Sequence, residues 1–263
     1  PLLTVQALET CLGRLAPGGI LSVSRRLLLP PSDCVRLFAA AAEALRRRGV
    51  SDPTRGILAL RGWDSYTLLV SQQAFRPDQV QRLRGFCEER NFDLLYRAGM
   101  PEAEANRFNR FPEAFHYREL QALAAALGEG RGEAYLRGHY LDLAPSTDDR
   151  PYHNRFIRWD RLGALYRVSG RRAYSLLLSG EVVVLAVLAV ALLVGAGLLL
   201  APALVARSRR GEGRAAGPAA GSGALPGLYF LAAGAGYLFL ELGLIQTLTV
   251  VLGSPVVALT VVL

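Results

Sequence analysis

Apolar residues in the first hundred positions follow two alternating rhythms. Val5, Leu8, Leu12 and Leu15 recur at three and four residues, which predicts a helix over Thr4–Leu15. Ala16-Pro17-Gly18-Gly19 stops it, because Gly accepts the left-handed conformation of a helix end and Pro cannot continue one. Ile20–Ser24 reads as a short apolar strand. Pro30-Pro31-Ser32-Asp33 is a loop in which Ser32 serves as N-cap for a helix over Cys34–Arg48. On that helix Val35, Phe38, Ala42 and Leu45 form the inward face, and Arg46–Arg48 lie where the helix dipole favours cations. Ile57–Leu60 and Tyr66–Ser71 are β-rich runs joined as a hairpin through Gly62-Trp63-Asp64-Ser65. Pro77–Arg90 carries Val80, Leu83 and Phe86 on one helical face, and Phe92–Tyr96 is a last short strand. This order predicts an α/β sheet with an antiparallel pair at or near one edge.

Residues 101–140 read as mainly helical, with Leu120, Leu123, Ala124 and Leu127 at helical spacing within Phe115–Leu127. Gly128–Gly132 breaks the pattern, and Tyr135–Leu143 reads as a short extended piece. From residue 180 the periodicity gives way to long apolar runs. Val182–Ala206 holds 22 hydrophobic residues in 25 and no charge. As a helix it is roughly 37 Å long, enough to cross a hydrocarbon core of about 30 Å, with Pro202 as a kink or an end. Arg207–Gly223 is a loop rich in Arg, Gly and Ala. Leu228–Leu252, with 18 hydrophobic residues in 25, is a second span. Gly253-Ser254-Pro255 is a tight break, and Val256–Leu263 begins a third span.

Composition sharpens this division. The chain of 263 residues is 51% hydrophobic, which excludes disorder as a description of the whole. Residues 1–179 hold 26 of the 30 basic and 19 of the 22 acidic residues, so a charged α/β part precedes an apolar part. All 30 basic residues are Arg, which excludes Schiff-base chemistry and a Walker-type phosphate loop. Cys11, Cys34 and Cys87 lack CxxC spacing, and His116, His139 and His153 form no HxxxH or HxxE pattern. Neither disulfides nor a metal site is therefore predicted. Because the chain begins at Pro1 and ends inside an apolar run, it is expected to be an internal piece of a longer protein.

The net charge of +8 first raises nucleic acid as a partner. Its most concentrated stretch interleaves Arg155, Arg158, Arg161, Arg167, Arg171 and Arg172 with Phe156, Trp159, Leu162, Leu165, Tyr166 and Tyr174. That stretch ends within ten residues of the first apolar span, so it reads as an interfacial segment beside a lipid bilayer, with no nucleic acid involved. The charge rule leaves orientation tied, with four Arg before the first span (Arg161, Arg167, Arg171, Arg172) and four after it (Arg207, Arg209, Arg210, Arg214).

Two polar constellations stand out. In Asp148-Asp149-Arg150-Pro151-Tyr152-His153 two carboxylates and a guanidinium could form a polar site, one carboxylate taking Arg150 bidentately. The same residues could instead make an Asx-type turn with a surface ion pair worth roughly 0–1 kcal/mol. In the second span Glu241 is an ionisable group costing about 3 kcal/mol or more in a bilayer unless protonated, paired or hydrated. On a helical wheel Gly234 and Tyr237 lie within about 40° of Glu241, Thr249 about 80° away and Gln246 about 140° away. Glu241, Tyr237 and Gln246 are thus the candidate intramembrane polar residues. Glu241 reads either as a substrate or proton contact or as a hydrogen-bonded lock to another helix.

The turn Leu15-Ala16-Pro17-Gly18-Gly19-Ile20-Leu21, with the helix and hairpin after it, resembles the end of the class I S-adenosylmethionine-dependent methyltransferase fold. The run Leu141–Tyr152 and the stretch from Tyr229 through Glu241, Gln246 and Leu252-Gly253-Ser254-Pro255 are most similar to bacterial membrane proteins of the spermidine synthase-like branch. Where this chain has Ser254 that branch often has His, so a proton carrier is not implied there. The resemblance implies the C-terminal half of a Rossmann-like methyltransferase sheet followed by α-helical transmembrane segments. It divides the chain into 1–99 (half-domain), 100–160 (connecting segment with the Asp148-Asp149-Arg150-Pro151 loop), 161–181 (juxtamembrane), 182–206 and 228–252 (transmembrane helices, with the loop 207–227 between them) and 256–263 (start of a third).

For the full-length protein the resemblance implies transfer of an aminopropyl or methyl group from S-adenosylmethionine or its decarboxylated form, with a small amine as acceptor. A multi-pass location in the bacterial inner membrane with a cytosolic soluble domain goes with it, as do further transmembrane helices as partners. The Gly-rich loop, the ribose-binding acid and the catalytic Asp of that superfamily have no counterpart here. Gly18-Gly19 precedes a strand, whereas a dinucleotide loop follows one. This stretch alone is therefore expected to be inactive and to bind no cofactor. The Asp148-Asp149-Arg150-Pro151 loop is expected to close over the cofactor half or to dock the domain onto the membrane. The alternative is a transport or scaffold protein whose Rossmann-like domain regulates without catalysis.

Overall fold

A computed structural model describes residues 2–169, 180–210, 224–253 and 255–262. The chain falls into two compact units, Pro1–Val194 and Gly195–Leu263.

The first unit is mixed α/β. Helix α1 (Val5–Gly13) begins where the Thr4 hydroxyl accepts the Ala7 N–H at 3.2 Å, and it buries Val5, Leu8 and Leu12 as their spacing predicts. Strand β1 (Leu21–Arg26) leads to helix α2 (Asp33–Arg47), then β2 (Ile57–Arg61), β3 (Ser65–Val70), helix α3 (Pro77–Arg90) and β4 (Asp93–Tyr96). Helices α4 (Phe115–Gly128), α5 (Gly132–Gly138) and α6 (Leu162–Ser169) follow.

The four strands form one sheet in the order β1-β3-β2-β4, with every neighbouring pair antiparallel. Leu68 of β3 faces Val23 on one side and Ala59 on the other. The β2–β3 hairpin, expected at or near one edge, is the central pair and lies one strand in from the edge. The reason is β4, which returns along the far side of β2 and takes the edge itself. β1 and β2 both oppose β3 and so run the same way.

Alternate side chains divide the sheet into two faces. Ile57, Ala59, Tyr66, Leu68, Val70 and Tyr96 pack under α2, and Phe38 of α2 meets the Tyr96 ring edge-on at 4.7 Å. The Ala-rich sequence of α2 lets it sit between the sheet and helices α1 and α4, buried on nearly every side. Gly56, the residue before β2, lies where a Cβ would be 2.5 Å from the Ser71 carbonyl oxygen, so no larger residue fits. On the other face Leu60 and Leu94 meet Cys87 and Met100. Helix α3 has its predicted extent, but its covered residue is Cys87. Phe86 stays 46% exposed, stacked on Phe92 at 5.7 Å.

Two local expectations change. The stretch Tyr135–Leu143 is not extended throughout. α5 takes Tyr135–Gly138, because Tyr135 and Leu136 pack on the core and the Tyr135 hydroxyl reaches Glu119 at 2.7 Å. Ser32 does occupy the N-cap of α2, yet its hydroxyl makes no capping bond.

Helix α7 (Gly180–Arg210) crosses the division between the units and contains Pro202 without ending there. Its described apolar side chains, Val182–Gly197, fall short of a membrane span, and the side chains of 198–206 lie outside the described residues. In the second unit helix α8 (Ala224–Leu252) contains Tyr229–Thr249, 21 residues with mean hydropathy 1.4, long and apolar enough to cross a membrane. Among the described residues it is the one helix that is so, where the sequence suggested two spans and the start of a third. Gly253, at φ 68°, donates its N–H to the Thr249 carbonyl at 3.0 Å and ends α8, and helix α9 (Pro255–Val262) packs back on it. Arg171, Arg172, Tyr174, Arg214 and Ser254 lie outside the described residues.

Candidate functional site

The polar chemistry of the first unit gathers where a strap, residues 139–156, crosses the N-terminal end of α2. Asp33, in the first turn of α2, is its centre, with a side chain only 2% exposed. Arg25 on β1 grips the carboxylate with two nitrogens, at 2.7 and 3.2 Å, and the Tyr66 hydroxyl donates to it from β3 at 2.5 Å. The pairing of Arg25 with Tyr66 in the sheet register places both groups on the α2 face. His153 of the strap brings its Nε2 within 3.3 Å of the same carboxylate.

Burial alone would raise the Asp33 carboxyl. The nearby His153 imidazole and the hydrogen bonds from Arg25 and Tyr66 overcome it and hold the group well below the usual carboxylate range. Tyr66 is pushed up by burial and by the neighbouring carboxylate, and so stays a neutral donor.

Arg36, one turn further along α2, fixes the strap by its backbone. Its guanidinium donates to the carbonyls of His153 at 2.6 Å and Tyr152 at 3.0 Å, and also to that of Asp142. It lies over the Phe156 ring at 4.6 Å and pairs with the Asp142 carboxylate at 3.4 Å. Ser146 Oγ lies 3.4 Å from His153 Nδ1, so Ser146, His153 and Asp33 form a line of nucleophile, imidazole and carboxylate. The Asp33 carboxylate is already taken by Arg25 and Tyr66. The trio works as a buried clasp.

The Asp148-Asp149-Arg150 loop belongs to this strap, but not as the ion pair that the sequence suggested. Among the described residues neither Asp148 nor Asp149 pairs with Arg150. Asp148 instead accepts the Thr4 hydroxyl at 2.6 Å, and its N–H reaches Gln6 at 3.3 Å, so it supports the start of α1. The Arg150 N–H bonds the Thr147 carbonyl at 2.9 Å, which makes the loop a tight turn with Asp149 and Arg150 exposed. The turn is held by that backbone bond.

Comparison with family models, curated proteins and solved structures returns no match to this chain. The site therefore rests on its geometry alone.

A second buried cluster lies on the same unit. Asp93 accepts the backbone N–H groups of Arg107, Phe108 and Asn109, and Arg61 pairs with it at 3.3 Å. The Arg61 guanidinium also reaches Asn106 at 2.8 Å and lies over Phe111 at 4.5 Å. His116 is 1% exposed, its Nε2 2.9 Å from the Leu28 carbonyl, and burial lowers its pKa to about 4.

On α8, Glu241, Ile245, Leu248 and Thr249 are the half-buried positions, the mark of one helix packed against one face. Tyr237 is 66% exposed and Gln246 is exposed, so the structure gathers neither with Glu241 into a closed polar site. Among the described residues no group of His, Cys, Asp and Glu could hold a metal ion.

Sequence reasoning missed the Asp33 cluster. Its parts lie on β1, α2, β3 and the strap, and no local spacing links them. The signal that could have found it is a carboxylate placed directly before the fully apolar face of α2. An acid there needs a cation, and the adjacent Arg25 and Arg26 are the nearest before it in sequence.

Proposed function

We propose that this chain belongs to a membrane-anchored, spermidine synthase-like transferase and supplies the half of a Rossmann-like sheet that does not hold the cofactor. The observation that carries the reading is the strand arrangement. β1 and β2 run the same way with β3 inserted antiparallel between them, and among the described residues β1 pairs on one side only. An edge strand offers unpaired N–H and C=O groups to a further strand. The helix–strand turn at Ala16-Pro17-Gly18-Gly19 leads directly into that edge.

The donor would be S-adenosylmethionine or its decarboxylated form, bound elsewhere in the full-length protein. The described residues do not fit it. Gly18, at φ 77°, lies before β1 rather than after a strand, and no Gly-rich loop there opens a helix. No chemical step is therefore assigned to residues of this chain. Their work is to complete the sheet and, through the strap on α2, to hold the domain ahead of its anchor. The apolar helix Tyr229–Thr249 supports that anchor. The proposed setting is the bacterial inner membrane, with several spans in all and a small amine as acceptor.

Calorimetric titration of the full-length protein with S-adenosylmethionine and with its decarboxylated form tests the reading. Saturable binding of either is expected. Binding of neither refutes it and leaves the transport or scaffold reading in its place.

A further inference from the structure

A cavity of about 430 Å³ lies against the face of the sheet turned away from α2, beside the first turns of α3. None of the residues gathered at Asp33 or at Asp93 lines it. Its walls are of two kinds. Leu58, Phe75 and Val80 form an apolar wall, with Leu58 on the same face of β2 as Leu60. Arg55, Arg84 and Arg97 form a cationic one, and no carboxylate is among the lining residues. Backbone bonds fix this frame. The Phe75 N–H donates to the Arg55 carbonyl at 3.1 Å, and the Arg97 carbonyl accepts the Met100 N–H at 3.1 Å.

Two of the three guanidiniums share one anion. Glu104 Oε1 lies 2.9 Å from Arg97 and 3.6 Å from Arg84, and Glu104 lines a neighbouring pocket rather than this cavity. Arg55 has Asp52 at 3.5 Å, an exposed pair that water screens. Arg84 and Arg97 are therefore left with one positive charge in excess among the described residues. Arg97 adds an unfilled donor. Its side chain is 19% exposed, and its Nε–H is buried without an acceptor among the described residues. A donor left so is costly, which favours a ligand that brings an acceptor. The Glu104 Oε2 is unpaired as well, but as an acceptor it attracts no anion. The first turn of α3, at the positive end of the helix dipole, adds to the same sign.

The chemistry of the lining selects the ligand. Guanidinium groups donate only, so what they recognise must accept. An excess of one charge matches a monoanion, and the planar fork matches the two oxygens of a carboxylate. The apolar wall favours a body that gains by leaving water.

We propose that this cavity binds an organic monocarboxylate with a compact apolar body. Arg84 and Arg97 hold the carboxylate, and Leu58, Phe75 and Val80 cover the body.

The test is calorimetric titration of the full-length protein in an uncharged detergent. Phenylacetate, phenylacetamide and acetate are the probes. Saturable binding of phenylacetate with a Kd of about 1 mM or tighter is expected. Phenylacetamide keeps the shape without the charge, and acetate keeps the charge without the body. Each should bind about ten-fold or more weakly. Arg84→Gln should weaken phenylacetate about ten-fold and the amide less, and Arg84→Lys should restore part of the loss. Arg84 meets Glu104 only at 3.6 Å, so both variants should leave hydrogen exchange in α3 unchanged. Should exchange there quicken in Arg84→Gln, the comparison of acid with amide on the unsubstituted protein decides alone. The proposal is overturned when phenylacetate shows no saturable binding up to about 10 mM, when the amide binds as tightly, or when a folded Arg84→Gln changes affinity by less than about two-fold. The readout involves no adenosyl donor, so its failure and that of the transferase reading are separate results.

Discussion

Replacing Asp33 by Ala should open the first unit from its centre. The substitution strands the two groups that hydrogen-bond to Asp33 and removes the carboxylate beside His153. Tyr66, 1% exposed, would keep a buried hydroxyl with no acceptor, which costs about 1–3 kcal/mol. Arg25 would lose a bidentate partner, but its side chain is 30% exposed and can take water back, so it contributes only about 1 kcal/mol. The expected loss is about 2–4 kcal/mol, somewhat below the 3–5 kcal/mol typical of a fully buried broken pair. Out of a domain stability of about 5–15 kcal/mol this is a large fraction.

Trp63 is 72% exposed and Trp159 46%, so tryptophan emission would report the change poorly. Native-state hydrogen exchange read on peptides covering Asp33–Leu45 is the better assay. At about 1.4 kcal/mol per decade, exchange there should quicken about 30-fold or more. Tyr66→Phe alone should cost about 1 kcal/mol, and the double variant should fall short of additivity by about as much, because both changes remove one bond. The direction with pH follows from the depressed Asp33 carboxyl. Its contribution is fully present above the unfolded-state value near pH 4 and is lost as pH falls through the lower folded-state value. Exchange in α2 that differs from the unsubstituted protein by less than about five-fold refutes the clasp, as does strict additivity with Tyr66→Phe.

His116 provides a pH dependence of its own. Its folded-state pKa of about 4 lies below the unfolded value near 6.5, so the unfolded chain binds the extra proton and stability is lost as pH falls between those values. From pH 7 to pH 5 the loss attributable to this group is about 2 kcal/mol. Denaturant unfolding of His116→Gln, which does not titrate, should lack that part of the slope, and an unchanged slope counts against it. Asp93→Ala should leave the Arg61 guanidinium buried without its anion and free three backbone N–H groups, at a cost of about 3–5 kcal/mol. Tryptic cleavage after Arg107 and Arg110 should quicken strongly, and cleavage at the unsubstituted rate would contradict the assignment.

What could be read from the sequence divides along a physical line. Helices α1, α2, α3 and α4 and the hairpin were legible because each writes its own periodicity and its own stops, and all of them lie within a residue or two of where the pattern puts them. Which strand covers the far side of the hairpin was not legible. Whether β4 pairs with β2 or with β3 is decided by the path of the chain through α3, which no spacing in β4 records. The Asp148-Asp149-Arg150 run drew notice because opposite charges adjoin there, yet adjacency in sequence does not bring side chains together in a turn. The partner of Asp148 proved to be Thr4, 144 residues away. Asp33 passed unnoticed for the converse reason, since all of its partners are distant in sequence or on another element.

The arginine composition takes on a different meaning once its buried members are located. Arg36 and Arg61 do the same job in two places. Each guanidinium is held at the end of a structural element and bonds carbonyls of a loop, at 139–156 for Arg36 and at 105–111 for Arg61. Each meets one carboxylate, at 3.4 and 3.3 Å, and each lies over a Phe ring, at 4.6 and 4.5 Å. A lysine ammonium could supply the charge but not the planar fork that bonds several carbonyls, nor the flat face that packs on the ring. Burial depresses Arg61, yet so strong a base stays charged, whereas a buried lysine readily loses its proton. Part of the basic excess is thus internal scaffolding for loops. It is spent on carbonyls, carboxylates and aromatic faces of the first unit itself.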